Sequence, residues 1–204
     1  SYLSLTQRLL DTVLQGLQPR QCVVYLDDIM IKAKTFEELL VYLRAVLSRL
    51  IDAGLKVQPS KCQFLKSQFQ YLGHTISANG VQPSSSKTEA IAKLPPPKSA
   101  TEVRRVLGLA NFFRKFVSKY AQLVKPLVAL LKKGVKFVWT HECQQSLDTL
   151  KRLLTSAPLL AYPNFDEPFV LDVDASEGGL GAMLSQVKPS DGLLHPIAYA
   201  SRVL

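Results

Sequence analysis

The sequence predicts an α+β fold, in which helices and short strands occupy separate stretches of the chain. Apolar residues recur at helical spacing in several segments that follow helix-capping residues. Other short runs, rich in valine, isoleucine and aromatic residues, end at turn-forming residues and are typical of strands. Because 47% of the 204 residues are hydrophobic, a sizeable core can be buried, which excludes a disordered chain.

In the first part of the chain, two predicted helices flank an acidic hairpin. Apolar side chains at helical spacing predict a helix within residues 3–17. Two β-prone runs then surround Asp27 and Asp28, which predicts a hairpin with both acids at its tip. Thr35, with Glu38 three residues later, has the pattern of a capping box at the start of the second helix.

The middle and end of the chain change from helices to strands. Three prolines within residues 94–97 predict an extended linker. Ser99 begins a predicted helix whose apolar face continues to Tyr120. Three later runs predict strands, and they are Phe169 to Asp174, Leu180 to Val187 and His195 to Ser201.

Charge is distributed unevenly along the chain, whose formal net charge is +9. Residues 95–151 carry 11 basic and 3 acidic side chains, whereas residues 152–204 carry 3 basic and 6 acidic ones. A basic segment of this kind indicates a polyanion partner, and the alternative is a solvated basic helix face. The three cysteines are not spaced as a zinc site or a disulfide framework, which predicts reduced thiols and an intracellular protein.

The adjacent acids Asp27 and Asp28 carry the strongest chemical signal. Two neighbouring carboxylates between apolar strands repel each other and lose hydration. A divalent metal removes that penalty, and two such ions about 3.5–4 Å apart can hold a hydroxyl nucleophile and a leaving pyrophosphate in line. Taken alone the pair is a weak signal, because an exposed hairpin tip also tolerates acids.

Five segments, in order, match the motifs of one protein family. They are Tyr25-Leu26-Asp27-Asp28, Ala53-Gly54-Leu55-Lys56-Val57, Tyr71-Leu72-Gly73-His74, Leu107-Gly108-Leu109-Ala110-Asn111-Phe112-Phe113, and Asp172-Val173-Asp174-Ala175-Ser176. On these motifs the chain resembles the Pol polyprotein of gypsy-type LTR retrotransposons. The resemblance implies the C-terminal half of a reverse-transcriptase palm over residues 1–80, a helical thumb and connection region over 81–160, and the N-terminal part of an RNase H-like domain, with a truncated mixed sheet, over 161–204.

The resemblance also implies which residues bind metal. Asp27 and Asp28 are the expected catalytic carboxylates of the polymerase site, and Asp174, expected at the end of its strand, is the first carboxylate of the RNase H-like site. The implied cofactor is Mg²⁺ or Mn²⁺. Lys61 is the expected proton donor to the pyrophosphate, and the alternative for it is an exposed surface lysine.

Further residues are expected to bind the primer and the template. They are Gln7, Tyr25, Tyr71, Leu72, Gly73, His74, Arg104, Arg105, Arg114, Lys115 and Lys119. Helix surface is the alternative for Gln7, and strand core is the alternative for Tyr71 and Leu72. The five basic residues are expected to follow a phosphate backbone, which gives salt-dependent affinity and little sequence choice. Phe112, Phe113 and Phe116 are expected in the core.

Two departures from the family pattern limit the implied activity. The first palm motif, with a further metal-binding aspartate, is expected before Ser1, and the later RNase H carboxylates are expected after Leu204. The implied parent function is RNA-directed DNA synthesis by two-metal nucleotidyl transfer, coupled to RNA removal by an RNase H-like endonuclease. The expected partners are an RNA or DNA template with primer, dNTPs and the rest of the Pol polyprotein, with no membrane.

Two other interpretations remain open. In one, the chain is a non-catalytic nucleic-acid-binding remnant of a decayed or domesticated element. In the other, it is an unrelated α+β domain with an acidic hairpin, which the ordered motifs make improbable. In the first interpretation, the isolated chain binds nucleic acid and performs neither reaction.

Overall fold

Helices and antiparallel strands alternate along the chain in the computed structural model, which describes residues 2–176 and 179–203. The helices are α1 (Tyr2–Val13), α2 (Phe36–Asp52), α3 (Ser85–Ala92), α4 (Ala100–Phe112), α5 (Tyr120–Ala129) and α6 (His141–Thr155). The strands are β1 (Cys22–Tyr25), β2 (Asp28–Ile31), β3 (Gln68–Tyr71), β4 (His74–Ser77), β5 (Gly80–Pro83), β6 (Val170–Ser176), β7 (Gly179–Val187) and β8 (Leu194–Arg202). The predicted α+β class is confirmed. The chain divides into two compact units, Ser1–Gln63 and Phe64–Leu204.

The first unit buries a small core between two helices and a hairpin. Leu10 and Leu14 lie one turn apart in and just after α1, and Cys22 and Val24 alternate along β1, so all four side chains face inward. Val46 of α2 is part of the same core. Thr35 caps α2 as predicted, because the Glu38 amide donates to Thr35 Oγ1 at 3.1 Å. The Glu38 carboxylate accepts in return from the Lys34 amide at 2.6 Å, one residue before the one that a capping box uses.

The second unit begins with a three-stranded antiparallel sheet in the order β3-β4-β5. Gly80, at the start of β5, lies so close to a later segment that a Cβ there would be 2.2 Å from the Leu160 carbonyl oxygen. Val81 and Leu160 exchange two backbone hydrogen bonds of 2.8 and 2.9 Å. These bonds attach the chain that follows α6 to this sheet.

The main core of the second unit lies among its helices. Phe113, Val103, Leu127, Leu150 and Leu154 are all fully buried there. Ser99, where the sequence predicts a helix to begin, caps α4 by accepting a hydrogen bond of 3.3 Å from the amide of Glu102.

The predicted helix from Ser99 to Tyr120 is wrong in its length. Helix α4 ends at Phe112, and a 3₁₀ turn, Arg114–Phe116, precedes α5. Lys119, with φ +52°, turns the chain before α5 begins. Because the apolar side chains of the turn are buried as they would be on a helix, their spacing does not distinguish a straight helix from a bent one.

The last three strands form an antiparallel sheet in the order β6-β7-β8. The resemblance implies a mixed sheet, and the described strands pair only antiparallel. Strand β6 lies at the edge, with almost all of its residues exposed. Ser176 pairs with Gly179. The adjacent glycines Gly178 and Gly179 predict a turn between these strands, and Gly178 lies outside the described residues.

The cysteines are free thiols, and Cys22 and Cys143 are buried. Burial raises the pKa of the Cys22 thiol. Within the described ranges, no helix has the length and apolar character that a membrane crossing requires.

Candidate catalytic carboxylates and nucleic-acid surface

The acidic hairpin places its two aspartates at different positions of the turn. Tyr25 pairs with Asp28, so the two-residue loop consists of Leu26 and Asp27. The prediction of both acids at the tip is therefore wrong for Asp28, which is the first residue of β2. Leu26 has φ +55°. A left-handed leucine costs about 1–3 kcal/mol, and such strain persists only where surrounding contacts hold it.

Gln7 supplies such a contact. Its Oε1 accepts a hydrogen bond of 2.5 Å from the Leu26 amide, and its Nε2 donates to Asp11 Oδ1 at 2.9 Å. Sequence reasoning placed Gln7 near template and nucleotide and missed this contact, because a hydrogen bond between residues 19 positions apart leaves no local pattern.

Asp27 and Asp28 are exposed. Among the described residues, neither carboxylate takes part in an ion pair or a side-chain hydrogen bond. Mg²⁺ is commonly bound by one or two carboxylates together with substrate phosphates, so this donor set fits that ion. Across residues 2–176 and 179–203, no group of three or more His, Cys, Asp or Glu side chains is arranged to hold a metal.

The two other predicted polymerase residues of this unit are exposed. Tyr25 is 49% exposed beside the acidic turn. Lys61 ends a short 3₁₀ helix, Pro59–Lys61, and its side chain is exposed. An exposed position suits both the implied proton donor and a surface lysine.

The segment predicted to hold the primer is a second tight hairpin. Tyr71 pairs with His74, and Leu72 and Gly73 form the loop with φ of +49° and +75°. Leu72 is 37% exposed at the tip. A Cβ added to Gly73 would be 3.3 Å from Cε1 of Phe112, so the loop packs closely on that ring.

His74 lies among aromatic rings instead of in open solvent. Its ring centroid is 5.1 Å from that of Phe112, 5.6 Å from Phe113 and 5.7 Å from Phe116. Nδ1 is 2.9 Å from the Leu72 carbonyl oxygen, which identifies Nδ1 as the protonated nitrogen. Burial and then the Lys115 charge lower the pKa of His74, so the neutral ring is favoured.

The predicted core position of Phe112 is wrong. Phe113 and Phe116 are buried, but Phe112 is 52% exposed. Its ring is perpendicular to that of Phe113 at 4.8 Å, and its other side covers the Leu72–Gly73 loop. Phe112 is the last residue of α4 and lies on the side opposite the buried Val103, so helical spacing itself places its ring away from the core.

Asp174 occupies a different environment from Asp27 and Asp28. It lies inside β6, paired with Gly181, and the strand continues to Ser176, so its predicted place at the strand end is wrong. Lys119 Nζ is 2.5 Å from Asp174 Oδ2, with both side chains 59% exposed. The hydrogen bond and then the charge of Lys119 lower the pKa of Asp174.

The five predicted phosphate-binding cations differ in availability. Arg104, Arg105 and Arg114 are exposed, and no ion pair involves them within the described chain. Lys115 is half-buried, its Nζ is 5.1 Å from the centroid of the Phe116 ring, and burial lowers its pKa. Lys119 is already paired with a carboxylate, which a charge count along the sequence does not reveal.

Two family models match the chain. Residues 3–76 match the family described as reverse transcriptase (RNA-dependent DNA polymerase). Residues 139–204 match the RNase H-like domain found in reverse transcriptase. Together the matched ranges include Asp27, Asp28 and Asp174.

Curated relatives cover almost the whole chain. The retrovirus-related Pol polyprotein from transposon 297 of Drosophila melanogaster is 40% identical over 199 residues, which is 97% of this chain and 18% of that protein. The Pol polyprotein from transposon opus of the same organism is 36% identical over 209 residues, 97% of this chain and 21% of that protein. The Tf2-3 polyprotein of Schizosaccharomyces pombe is 35% identical over 195 residues, 96% of this chain and 15% of that protein. The chain thus spans about a fifth of the length of these relatives or less.

Solved structures show the same fold. The foamy viral protease–reverse transcriptase in complex with double-stranded DNA is 28% identical, with a TM-score of 0.83 over 99% of this chain and 42% of that one. The same protein in complex with an RNA/DNA hybrid gives a TM-score of 0.79 at 28% identity, over 99% of this chain and 27% of that one.

Proposed function

This chain belongs to the reverse transcriptase family of retrotransposon Pol polyproteins, and we propose that it supplies two metal-binding carboxylates and a nucleic-acid grip to RNA-directed DNA synthesis. The observation that carries this proposal is the pair Asp27 and Asp28, exposed and unpaired within the described chain, on a strained turn held by Gln7. A turn that carries strain and presents two free acids is typical of a functional site.

Asp27 and Asp28 are the residues that would hold Mg²⁺ or Mn²⁺. Their carboxylate oxygens are the hard ligands that these ions prefer. When bound, the metal supplies charge neutralisation for the primer hydroxyl and for the departing pyrophosphate of a dNTP. The contribution of this chain is to keep both carboxylates in place, through the Gln7 hydrogen bond and the pairing of Tyr25 with Asp28.

We also propose roles for two further side chains of the first unit. Tyr25, exposed beside the acidic turn, contacts the primer terminus. Lys61 donates a proton to the leaving pyrophosphate, for which an exposed ammonium group is suited.

Nucleic-acid binding is proposed for the second unit. The exposed cations Arg104, Arg105 and Arg114 offer phosphate contacts. The Leu72–Gly73 loop, which rests on Phe112, offers a firm surface for a primer strand. Similar proteins have been solved with double-stranded DNA and with an RNA/DNA hybrid, which supports a primer–template as the partner.

Asp174 is proposed as a metal-binding carboxylate of the RNase H-like domain in the complete enzyme. In this structure Lys119 binds that carboxylate. A metal at Asp174 therefore requires that Lys119 move away, whereas Asp27 and Asp28 require no such exchange.

A second candidate function is nucleic-acid binding without catalysis. The pairing of Asp174 with Lys119 favours it, because that pair occupies a proposed catalytic acid with a cation of the chain itself. The two functions differ in whether Asp27 and Asp28 support nucleotide incorporation.

Primer extension on an RNA template, with Mg²⁺ or Mn²⁺, tests the proposal. The wild-type chain is compared with Asp27→Asn/Asp28→Asn and with Asp52→Asn, which removes one exposed carboxylate elsewhere in the first unit. Incorporation that only the double variant loses supports polymerase chemistry. No incorporation by folded protein, together with salt-sensitive binding of the primer–template, supports the second function. If the folded chain shows no incorporation and no binding, both functions are contradicted.

A metal titration gives an independent readout. Mn²⁺ should broaden the amide resonances of residues 25–29 at lower concentration than those around Asp174, because Lys119 competes at the latter. Lys119→Gln should reduce that difference, while Lys98→Gln, at an exposed lysine on a different segment, should not. Equal broadening at both places in the wild-type chain would contradict the proposed contrast.

We further propose the family's domain division, with palm over residues 1–80, thumb and connection over 81–160 and RNase H-like domain over 161–204. The matched ranges 3–76 and 139–204 support the two outer segments. An intracellular location stays a prediction from the reduced cysteines.

A further inference from the structure

The second unit contains a groove whose lining residues, apart from Arg114, have no role in the function proposed above. It has a volume of about 420 Å³ and lies along α5, between the 3₁₀ turn after α4 and the end of β8. Three cations line it, Arg114, Lys125 and Lys132, and all three side chains are exposed. No acidic side chain is among its lining residues in the described part of the chain.

One residue that lines the groove, Tyr120, has a buried hydroxyl without a partner in the described chain. Tyr120 is only 6% exposed, and its hydroxyl has no hydrogen-bond partner among the described residues. An unmade hydrogen bond of a buried polar group is unfavourable, so a bound acceptor would stabilise it. The Arg114 charge acts on the same hydroxyl, although burial dominates and raises the pKa of Tyr120 to about 12. The tyrosine is therefore a neutral donor at every physiological pH.

The framework of the groove is fixed by a contact between elements. The Ala121 amide donates to Ser201 Oγ at 2.8 Å, which joins the first turn of α5 to β8. The first turn of a helix is also the positive end of its dipole, which favours an anion there. Lys125 and Lys132 are seven residues apart along the chain and line the same groove.

We propose that this groove binds a backbone phosphate of a nucleic-acid strand through Arg114, Lys125, Lys132 and the Tyr120 hydroxyl. The assignment rests on the proposed nucleic-acid binding of this chain and adds a defined subsite to it. Lys125, Lys132 and Tyr120 were not among the nucleic-acid-binding residues that the sequence predicted. A phosphodiester fits because it carries one negative charge and two free acceptor oxygens, for which cations and a neutral hydroxyl are complementary donors.

Fluorescence anisotropy with a labelled DNA duplex, from 50 to 200 mM KCl, tests the proposal. The groove variant is Arg114→Gln/Lys125→Gln/Lys132→Gln, and the charge-matched control is Lys93→Gln/Lys98→Gln/Lys188→Gln, all exposed residues outside the groove. We expect the groove variant to bind the duplex on the order of tenfold more weakly than the wild-type chain. The slope of log affinity against log salt concentration should become shallower by about 0.9 for each phosphate contact removed. The control should lose less than about threefold, from its change in net charge.

Tyr120→Phe tests the hydroxyl without changing charge. It should weaken duplex binding about fivefold, as expected for one hydrogen bond, and should not lower the unfolding temperature of the free chain, because no internal bond is lost. Unchanged duplex affinity in Tyr120→Phe, with folding intact, would remove the hydroxyl from the site and overturn the proposal as stated.

Three other outcomes also decide the assignment. Equal affinity losses in the groove and control variants would overturn the groove while leaving nucleic-acid binding intact. No duplex binding by the wild-type chain at 50 mM KCl would overturn the proposed function and the groove together. Inorganic phosphate that shifts groove resonances without competing with the duplex would identify a free-anion site, which overturns the nucleic-acid assignment.

Discussion

Two hairpins of this chain have loops of the same length but are held in different ways. The acidic hairpin turns at Leu26 and Asp27, and the primer-side hairpin turns at Leu72 and Gly73. Each places a leucine in the left-handed region, with φ of +55° and +49°. In the acidic hairpin only the first loop residue has positive φ, the pattern of a type II′ turn, whereas both are positive in the other, the pattern of type I′.

The supports of the two loops differ in chemistry. In the described part of the chain, a hydrogen bond from the Leu26 amide to Gln7 Oε1 holds the acidic loop. The primer-side loop rests on the ring of Phe112, next to His74 and Phe113. A polar support leaves Asp27 and Asp28 open to water and ions, whereas an aromatic support gives a loop that resists movement. The difference suits a metal site in one case and a strand-holding surface in the other.

Removing the buried ring under the primer-side loop should have the largest effect. Phe113→Ala deletes a fully buried side chain that contacts His74 and Phe112, and we expect a loss of about 3–5 kcal/mol in unfolding free energy. Denaturant unfolding measures it. The control Phe165→Ala, at a phenylalanine that is 83% exposed, should change stability by about 0.5 kcal/mol or less. A stability loss in Phe113→Ala as small as that in Phe165→Ala would mean that the Phe113 ring does not support this region.

A smaller loss is expected from the second loop residue itself. Gly73→Ala places a Cβ at φ +75° and 3.3 Å from Phe112, and left-handed backbone costs an L-residue about 1–2 kcal/mol. Gly108→Ala, in the interior of α4 with open space around it, should instead stabilise by about 0.5–1 kcal/mol. Denaturation midpoints of the two variants should therefore move in opposite directions, and a shift in the same direction would refute the loop geometry.

The polar support of the acidic loop should contribute less. Gln7→Leu removes one hydrogen bond to Leu26, for which we expect about 1 kcal/mol, measured as faster hydrogen exchange of the Leu26 amide. Gln15→Leu makes the same change at an exposed glutamine in the same unit and should leave that amide unaffected. Unaltered exchange in Gln7→Leu would mean that the strand pairing alone maintains the turn.

The weakest effect is a pH dependence confined to the aromatic support. Burial and the Lys115 charge hold the pKa of His74 below its ordinary value, so the unfolded chain takes up a proton first as pH falls. The contribution of neutral His74 to the unfolding free energy of the second unit should be fully present above about pH 6.5 and should be lost as pH falls through the folded pKa. NMR titration of the His74 ring should show a higher pKa in Lys115→Gln, and an unchanged or lower one would contradict the contact.

Local patterns predicted the elements that depend on neighbouring residues. The helix caps at Thr35 and Ser99 formed because each joins residues three positions apart. The acidic hairpin was located correctly, but its register was one residue off, since Asp28 begins β2. A turn of two residues admits more than one alignment when both flanking runs are β-prone.

Contacts between distant residues were not predictable in this way. The Lys119–Asp174 pair joins a residue expected to bind phosphate with one expected to bind metal. The groove combines α5 with the end of β8. Each of these depends on where one element lies against another, and spacing within a segment carries no information about that.

The sequence by itself determined the α+β class, the order of the motifs and the identity of the acids, because these follow from local spacing and from side-chain chemistry. Only the tertiary structure decided which acids are free. Asp27 and Asp28 remain unpaired within the described chain, whereas Lys119 lies 2.5 Å from Asp174. The physical reason is that Coulomb interactions depend on distance in space, and folding brings together charges that are 55 residues apart in the chain.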